Sequence, residues 1–295
     1  MVAAHSQDES ELKISQSLLL AIVLSTVTLV LEVAGGIISN SLALLSDSGH
    51  VFLDIFALGL SYYAVRLAMR PATDDATYGL HRAEVLASLI NGLSLVVVSS
   101  LIFLFAYGRI LNPPAVQGTL MLVIAVIGLA ANLFVAYKIR GYQSLNVRSA
   151  YLHVIGDAVS SVAVVVGGVM IQLAGVYWID PVLSFLIGVV IAVGAVRILI
   201  ESANILLEKV PRHLAPERLV KELKGVGGVK EVHDLHVWSI CSNLHALSVH
   251  IVLDEQADKF RESILKKITE HLKIKHGIEH TTIQMECEYC GYDNA

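Results

Sequence analysis

His50 and Asp54 stand four residues apart in the stretch 46–54, Ser-Asp-Ser-Gly-His-Val-Phe-Leu-Asp, and His153 and Asp157 repeat the spacing about a hundred residues downstream. Positions four apart share one helix face, with Cβ atoms roughly 5–6 Å apart. Two such helices facing each other would converge two imidazoles and two carboxylates, an N/O donor set suited to tetrahedral Zn²⁺. A single polar residue in an apolar helix is commonly a hydrogen bond to a neighbouring helix. Four ionisable groups in matched pairs are harder to read that way, because each costs about 2.5–3.5 kcal/mol on insertion scales. Asp47, three residues before His50, is either an acceptor for an imidazole N–H or a capping and turn residue.

Both pairs lie inside long apolar runs. Of 295 residues, 55% are hydrophobic and 16% charged, with a mean hydropathy of +0.67; a soluble domain carries nearer a quarter charged residues. Six runs, 14–38, 42–65, 83–107, 116–139, 147–173 and 178–207, are long enough to cross a hydrocarbon layer, which takes about 20 apolar residues. The stretch 1–15 is polar and lacks the basic start and small-residue cleavage site of a signal peptide, so the first span is expected to be retained. Lys13, Arg66, Arg70, Arg82, Lys138, Arg140, Arg148, Lys209 and Arg212 fall on one side of the resulting topology and Arg109 on the other, which predicts cytoplasmic termini. The net charge of −5 mixes two sides of a membrane, and no basic stripe suggests nucleic-acid binding. Cys241, Cys287 and Cys290 all fall after the last span and are expected to be reduced thiols.

The expected organisation is a polar tail, 1–13, a six-helix transmembrane domain, 14–208, and a cytoplasmic αββαβ domain, 209–295. Glu32, near the middle of the first span, needs a partner, for which Arg197 is one candidate; Arg197 and Glu201 are alternatively spaced to pair with each other. The connection 69–84 concentrates Asp74, Asp75, His81 and Glu84, which read either as a second metal site or as a solvated loop opening a helix on an acidic residue. The connection 140–148 contains no histidine.

After Lys209 the pattern becomes that of a soluble domain: a helix beginning near Pro216, a hairpin turning at Ser242-Asn243, a helix carrying Ile264, Ile268 and Leu272 on one face, and a last strand at 278–286. That order makes a small sheet covered by helices on one face. Alternation places His250, His280, Gln284 and Glu286 on the other face, and Cys287-Glu-Tyr-Cys290 follows directly, so that these thiolates could complete a metal site with His233, His250 or Glu286. A redox role or idle thiols are the alternatives for this CxxC. His5, His213, His245, His271 and His276 read as surface histidines.

Six spans, HxxxD in the second and fifth, Tyr-Gly-Leu-His-Arg-Ala-Glu at 78–84, and Val-His-Asp-Leu-His-Val-Trp at 232–238 together resemble the cation diffusion facilitator family over nearly the whole chain. The doubled HxxxD in that family marks zinc transporters. The resemblance implies a homodimeric metal/proton antiporter that exports zinc from the cytoplasm. Its fold would be a six-helix α-helical membrane protein with a C-terminal α/β ferredoxin-like, metallochaperone-like cytoplasmic domain. Carried over by position, the transport site is His50, Asp54, His153 and Asp157, and the cytoplasmic metal positions are His233, His250 and Glu286, with Cys287 and Cys290 resembling the terminal CxxC of some members. His81 alone stands for the loop site, where many bacterial members place an Asp and two His. Zn²⁺ is the expected transported and regulatory ion, with Cd²⁺, Co²⁺ and Fe²⁺ as alternatives, and a bacterial inner membrane is the expected location. Metal ligands must be deprotonated, so protons and zinc would compete for the same groups. An intramembrane zinc hydrolase wants an HExxH motif, which is absent; a receptor that binds zinc without transporting it stays open.

Overall fold

A long apolar run can satisfy its backbone inside hydrocarbon by closing its own helical hydrogen bonds, and helices occupy the described part of each predicted run, residues 14–21 of the first lying outside the described residues. The computed structural model describes residues 22–139, 145–254 and 257–286. Among these described residues are six helices long and apolar enough to cross a membrane, each with a window of mean hydropathy between 1.5 and 2.6. They are α1 (Ile22–Ser39), α2 (Leu42–Ala68), α3 (Arg82–Leu111), α4 (Gly118–Ile139), α5 (Leu145–Ala174) and α6 (Ile179–Leu206). Large side chains point outward, Leu173 81% and Val190 71% exposed, while Ser39, Ser41 and Ser184 are wholly buried. That inversion of the soluble pattern is what a lipid-facing surface requires.

The chain divides into two compact units, one of residues 1–59 and 91–197 and one of residues 60–90 and 198–295. In the first unit, glycine lets α4 and α5 approach closely at two points. A Cβ on Gly118 would lie 3.0 Å from the Gln172 backbone nitrogen, and one on Gly168 would lie 3.3 Å from Leu122 Cα. Gly168 thus serves packing of α5 on α4. Gly168→Leu is expected to cost about 1–3 kcal/mol through overpacking, read as a lower thermal midpoint in detergent.

The start of α2 is held by a residue from α6. Asp180, wholly buried, accepts hydrogen bonds from Ser41 Oγ at 2.6 Å and from the backbone N–H groups of Leu42 at 2.8 Å and Ala43 at 3.1 Å. Those N–H groups have no partner within the helix, and a carboxylate suits the positive end of its dipole. Ser41 Oγ also accepts from the Leu44 N–H at 3.2 Å. Arg109, at the end of α3, donates to Asn40 O at 2.7 Å and to Asn40 Oδ1 at 2.9 Å, bracing the left-handed turn at Asn40 (φ 56°) that joins α1 to α2.

In the second unit the expected αββαβ order appears as α7 (Pro216–Lys224), β1 (Val229–Cys241), β2 (Leu244–Leu253), α8 (Arg261–His276) and β3 (Ile278–Glu286). The sheet order is β1-β2-β3, with β1 and β2 antiparallel across the 242–243 turn and β3 parallel to β2 after the α8 crossover. Leu219 and Leu223 of α7 and Ile264, Ile268 and Leu272 of α8 bury against Val237, Leu247, Val249 and Ile251. Both helices thus cover one face.

Glu222 ties the two helices together. Its carboxylate accepts from Arg218 Nε at 2.9 Å, Lys275 Nζ at 2.8 Å, His271 Nε2 at 3.0 Å and His276 Nε2 at 2.8 Å. These hydrogen bonds, Lys275 first, hold the carboxyl well below its usual value of 4.5. A carboxyl depressed by folding stabilises the fold fully above its unfolded value and loses that contribution as pH falls through the folded one. Glu222→Gln is therefore expected to lower the thermal midpoint at neutral pH, with the gap to the intact protein closing only in strong acid.

Candidate metal centres

One turn of α2 brings His50 and Asp54 onto the same face, with His50 Nε2 3.6 Å from Asp54 Oδ2. Asp157, from α5, places Oδ1 3.9 Å from the same His50 nitrogen. One ligand atom from each of the three lies within 4.8 Å of the others, and their side chains are 27%, 27% and 16% exposed, so the cluster is sheltered yet reachable. The side chain of His153 lies outside the described residues. Asp47 is 5% exposed and does not cap a turn: Ser160 Oγ of α5 donates to its Oδ1 at 2.8 Å. Ser161 Oγ donates to the Asp157 carbonyl at 2.9 Å, fixing the α5 turn that carries the third ligand. Glu32 is buried against Gly128, with the carboxylates of Asp47 and Asp157 in its electrostatic surroundings.

A second cluster forms on the face of the sheet that the helices leave open. His233 and His250 are paired residues of β1 and β2, and Glu286 ends β3 beside them. His233 Nε2 lies 3.1 Å from Glu286 Oε2 and His250 Nδ1 lies 3.0 Å from Glu286 Oε1, so each carboxylate oxygen meets a different imidazole. Burial alone would raise the Glu286 carboxyl, but hydrogen bonds from Gln284 and His233 outweigh it and hold the group below its usual value. The site thus offers an ionised carboxylate and two imidazoles, a donor set for Zn²⁺. His250→Ala is expected to remove one zinc ion per chain, read by metal analysis of the purified full-length protein after gel filtration; an unchanged count would show that this cluster holds none.

The sheet site has a neighbour that alternation does not reveal. The β1 register shifts between His233 and His236, and Asp234 in that bulge takes a left-handed conformation (φ 49°). Its Oδ2 comes within 3.7 Å of His250 Nε2, while Oδ1 accepts from His236 Nε2 at 2.9 Å, a hydrogen bond that keeps the Asp234 carboxyl below its usual range. Bulges commonly re-aim a side chain in this way. The only sequence signal is that Asp tolerates positive φ better than most residues.

Among the described residues, His81 is not gathered with two further ligand groups, and Asp74 and Asp75 are exposed. The connection instead packs on its own unit: Tyr78 meets the His280 ring edge-on at 5.5 Å and Arg82 pairs with Glu208 at 2.8 Å. A cavity of about 870 Å³ opens there, lined by residues that include Tyr78, Arg82, Glu208, His236 and Trp238. Cys287 and Cys290 lie outside the described residues, and Cys241 is a buried free thiol. His245 is not a surface histidine. It is 7% exposed, accepts from Ser239 Oγ through Nδ1 at 3.1 Å, and is made less basic by burial and then by the nearby His213.

Residues 18–207 match the family model of the cation efflux transmembrane domain, and residues 211–288 match that of the cation efflux protein cytoplasmic domain. A cadmium, cobalt and zinc/H(+)-K(+) antiporter of Bacillus subtilis is 38% identical over 99% of this chain and 94% of its own length. The metal cation efflux system protein CzcD of Cupriavidus metallidurans is 37% identical over 98% of this chain and 92% of its own. The zinc transporter ZitB of Pectobacterium atrosepticum is 35% identical over 99% and 91%. With its six membrane-crossing helices and its C-terminal α/β domain, the chain belongs to the cation efflux, or cation diffusion facilitator, family of multi-pass membrane proteins.

Proposed function

We propose that the protein exports zinc by proton antiport through the site on α2 and α5. The observation that carries this reading is the convergence of His50, Asp54 and Asp157 from two helices; His153, four residues before Asp157 in the sequence, is the fourth ligand in this reading. Two neutral imidazoles and two carboxylates around Zn²⁺ make a locally neutral cluster, which a low-dielectric bundle can hold. Metal ligands must be deprotonated, so protons compete with zinc for the same groups and can replace it there. Zinc enters from the cytoplasm, the helices carrying the ligands rock, and protons from the far side displace it. Relatives named for cadmium, cobalt and zinc support a divalent-cation substrate of this size class.

Both termini lie in the cytoplasm of a bacterial inner membrane in this reading, in keeping with the Lys and Arg distribution. The C-terminal domain dimerises, as the name of the matched cytoplasmic-domain model supports. Zinc at His233, His250 and Glu286, with Cys287 and Cys290 close in sequence, tightens that dimer as cytoplasmic zinc rises. Inverted membrane vesicles test the transport reading. Radioactive zinc is expected to accumulate under an imposed pH gradient and to stop when a proton ionophore collapses it; accumulation indifferent to the ionophore would rule out the coupling.

A further inference from the structure

We propose that Glu222, His271 and His276 form a further divalent-cation site, built of one carboxylate oxygen and two imidazole nitrogens, that clamps α7 to α8. It lies on the helix side of the sheet, apart from His233, His250 and Glu286, and it is independent of the transport reading. The three ligand atoms lie within 4.8 Å of one another. Both Nε2 atoms converge on the same oxygen, Glu222 Oε2, at 3.0 Å and 2.8 Å. Arg218 and Lys275 engage the other oxygen, Oε1. The Oε2 lone pairs therefore meet only imidazoles, which can become fellow ligands.

Ligand bond lengths of about 2.0–2.2 Å put neighbouring donors of a tetrahedral zinc site a little over 3 Å apart. The cluster is thus within a small side-chain adjustment of that geometry. The elements that set the ligands are fixed: Glu222 sits one residue from the buried Leu223, His271 one residue from the buried Leu272, and His276 is the last residue of α8 before the left-handed Gly277 (φ 65°). Glu222 and His276 are sheltered, with side chains 17% and 11% exposed, while His271 at 35% leaves an entry from solvent. Without metal each imidazole donates its Nε2–H to the carboxylate. On binding, each ring would carry its N–H at Nδ1 rather than Nε2, which frees the Nε2 lone pair for the metal. The donor set suits Zn²⁺ or Co²⁺ rather than Mg²⁺ or Ca²⁺, which prefer oxygen alone. The Lys275 and Arg218 charges make it weaker than the sheet site.

Cobalt titration of the full-length protein, stripped of metal in detergent, tests the proposal. His271→Gln and His276→Gln keep a hydrogen-bond donor near Glu222, and far-UV circular dichroism verifies that each variant is folded. Each is expected to bind one Co²⁺ fewer per chain than the intact protein and to lose the matching share of the visible absorption of low-coordinate cobalt. The same loss is expected in a chain already carrying His50→Gln and His250→Gln, where the α7–α8 site contributes a larger fraction of the signal. An unchanged cobalt count and spectrum in the folded His271→Gln and His276→Gln proteins would overturn the proposal.

Discussion

Asp157→Ala is expected to abolish zinc flux while leaving the protein folded. Its carboxylate faces His50 Nε2 across 3.9 Å, as part of the ligand cluster rather than of the apolar core. Removing it takes one oxygen from the donor set and changes the charge of the loaded cluster from neutral to +1 in a low-dielectric surrounding. Losing even an outer-shell partner typically costs about 10- to 100-fold in metal affinity, and a direct ligand costs more. Proton exchange at the site is weakened with it, since one of the groups for which protons and zinc compete is gone. The backbone turn survives, because Ser160 and Ser161 bond to the Asp157 carbonyl rather than to its side chain. The expected outcome is background flux with an unchanged thermal midpoint; flux near that of the intact protein would move the transport site elsewhere.

Asp180→Ala is expected to act on the fold rather than on the metal. The carboxylate is wholly buried and accepts from one hydroxyl and two backbone N–H groups at the start of α2, with Arg109 Nη1 3.8 Å away. Its removal strands two backbone donors where no water reaches them, at about 1–3 kcal/mol for each buried group left unsatisfied. Breaking a buried charged network by deleting one partner costs about 3–5 kcal/mol. A large drop in thermal midpoint follows, and because α2 carries His50 and Asp54, residual protein is expected to bind zinc more weakly. Asp180→Asn, which keeps an acceptor, should lose less. A midpoint unmoved by Asp180→Ala would mean that Ser41 alone caps the helix.

Much of this architecture was legible from the chain. Unbroken apolar length announces a spanning helix, and the predicted spans differ from the helices mainly at their ends. The third, for example, continues from 107 to Leu111 because nothing stops it before Pro113 and Pro114. The His50/Asp54 pair was visible because a four-residue spacing and one helix face are the same thing. Alternation likewise put His250 and Glu286 on one side of the sheet. The rest depended on relations that no period encodes. Asp180 caps a helix that begins 138 positions earlier in the chain. Asp234 reaches His250 only because a bulge turns it. His271 and His276 are five apart, about 140° around a regular helix, and meet only because Glu222 of another helix stands between them. Along the chain alone both read as surface histidines, and only the packing of α7 beside α8 brings them to one carboxylate.

Simultaneous recording of zinc entry and internal pH in proteoliposomes is the most direct measurement of coupled transport through the α2–α5 site. Zinc entering the vesicles should be matched by protons leaving, so that the lumen turns alkaline as zinc accumulates, and both signals should vanish together in Asp157→Ala. Zinc entry with no change in internal pH, or both signals persisting in the variant, would contradict it.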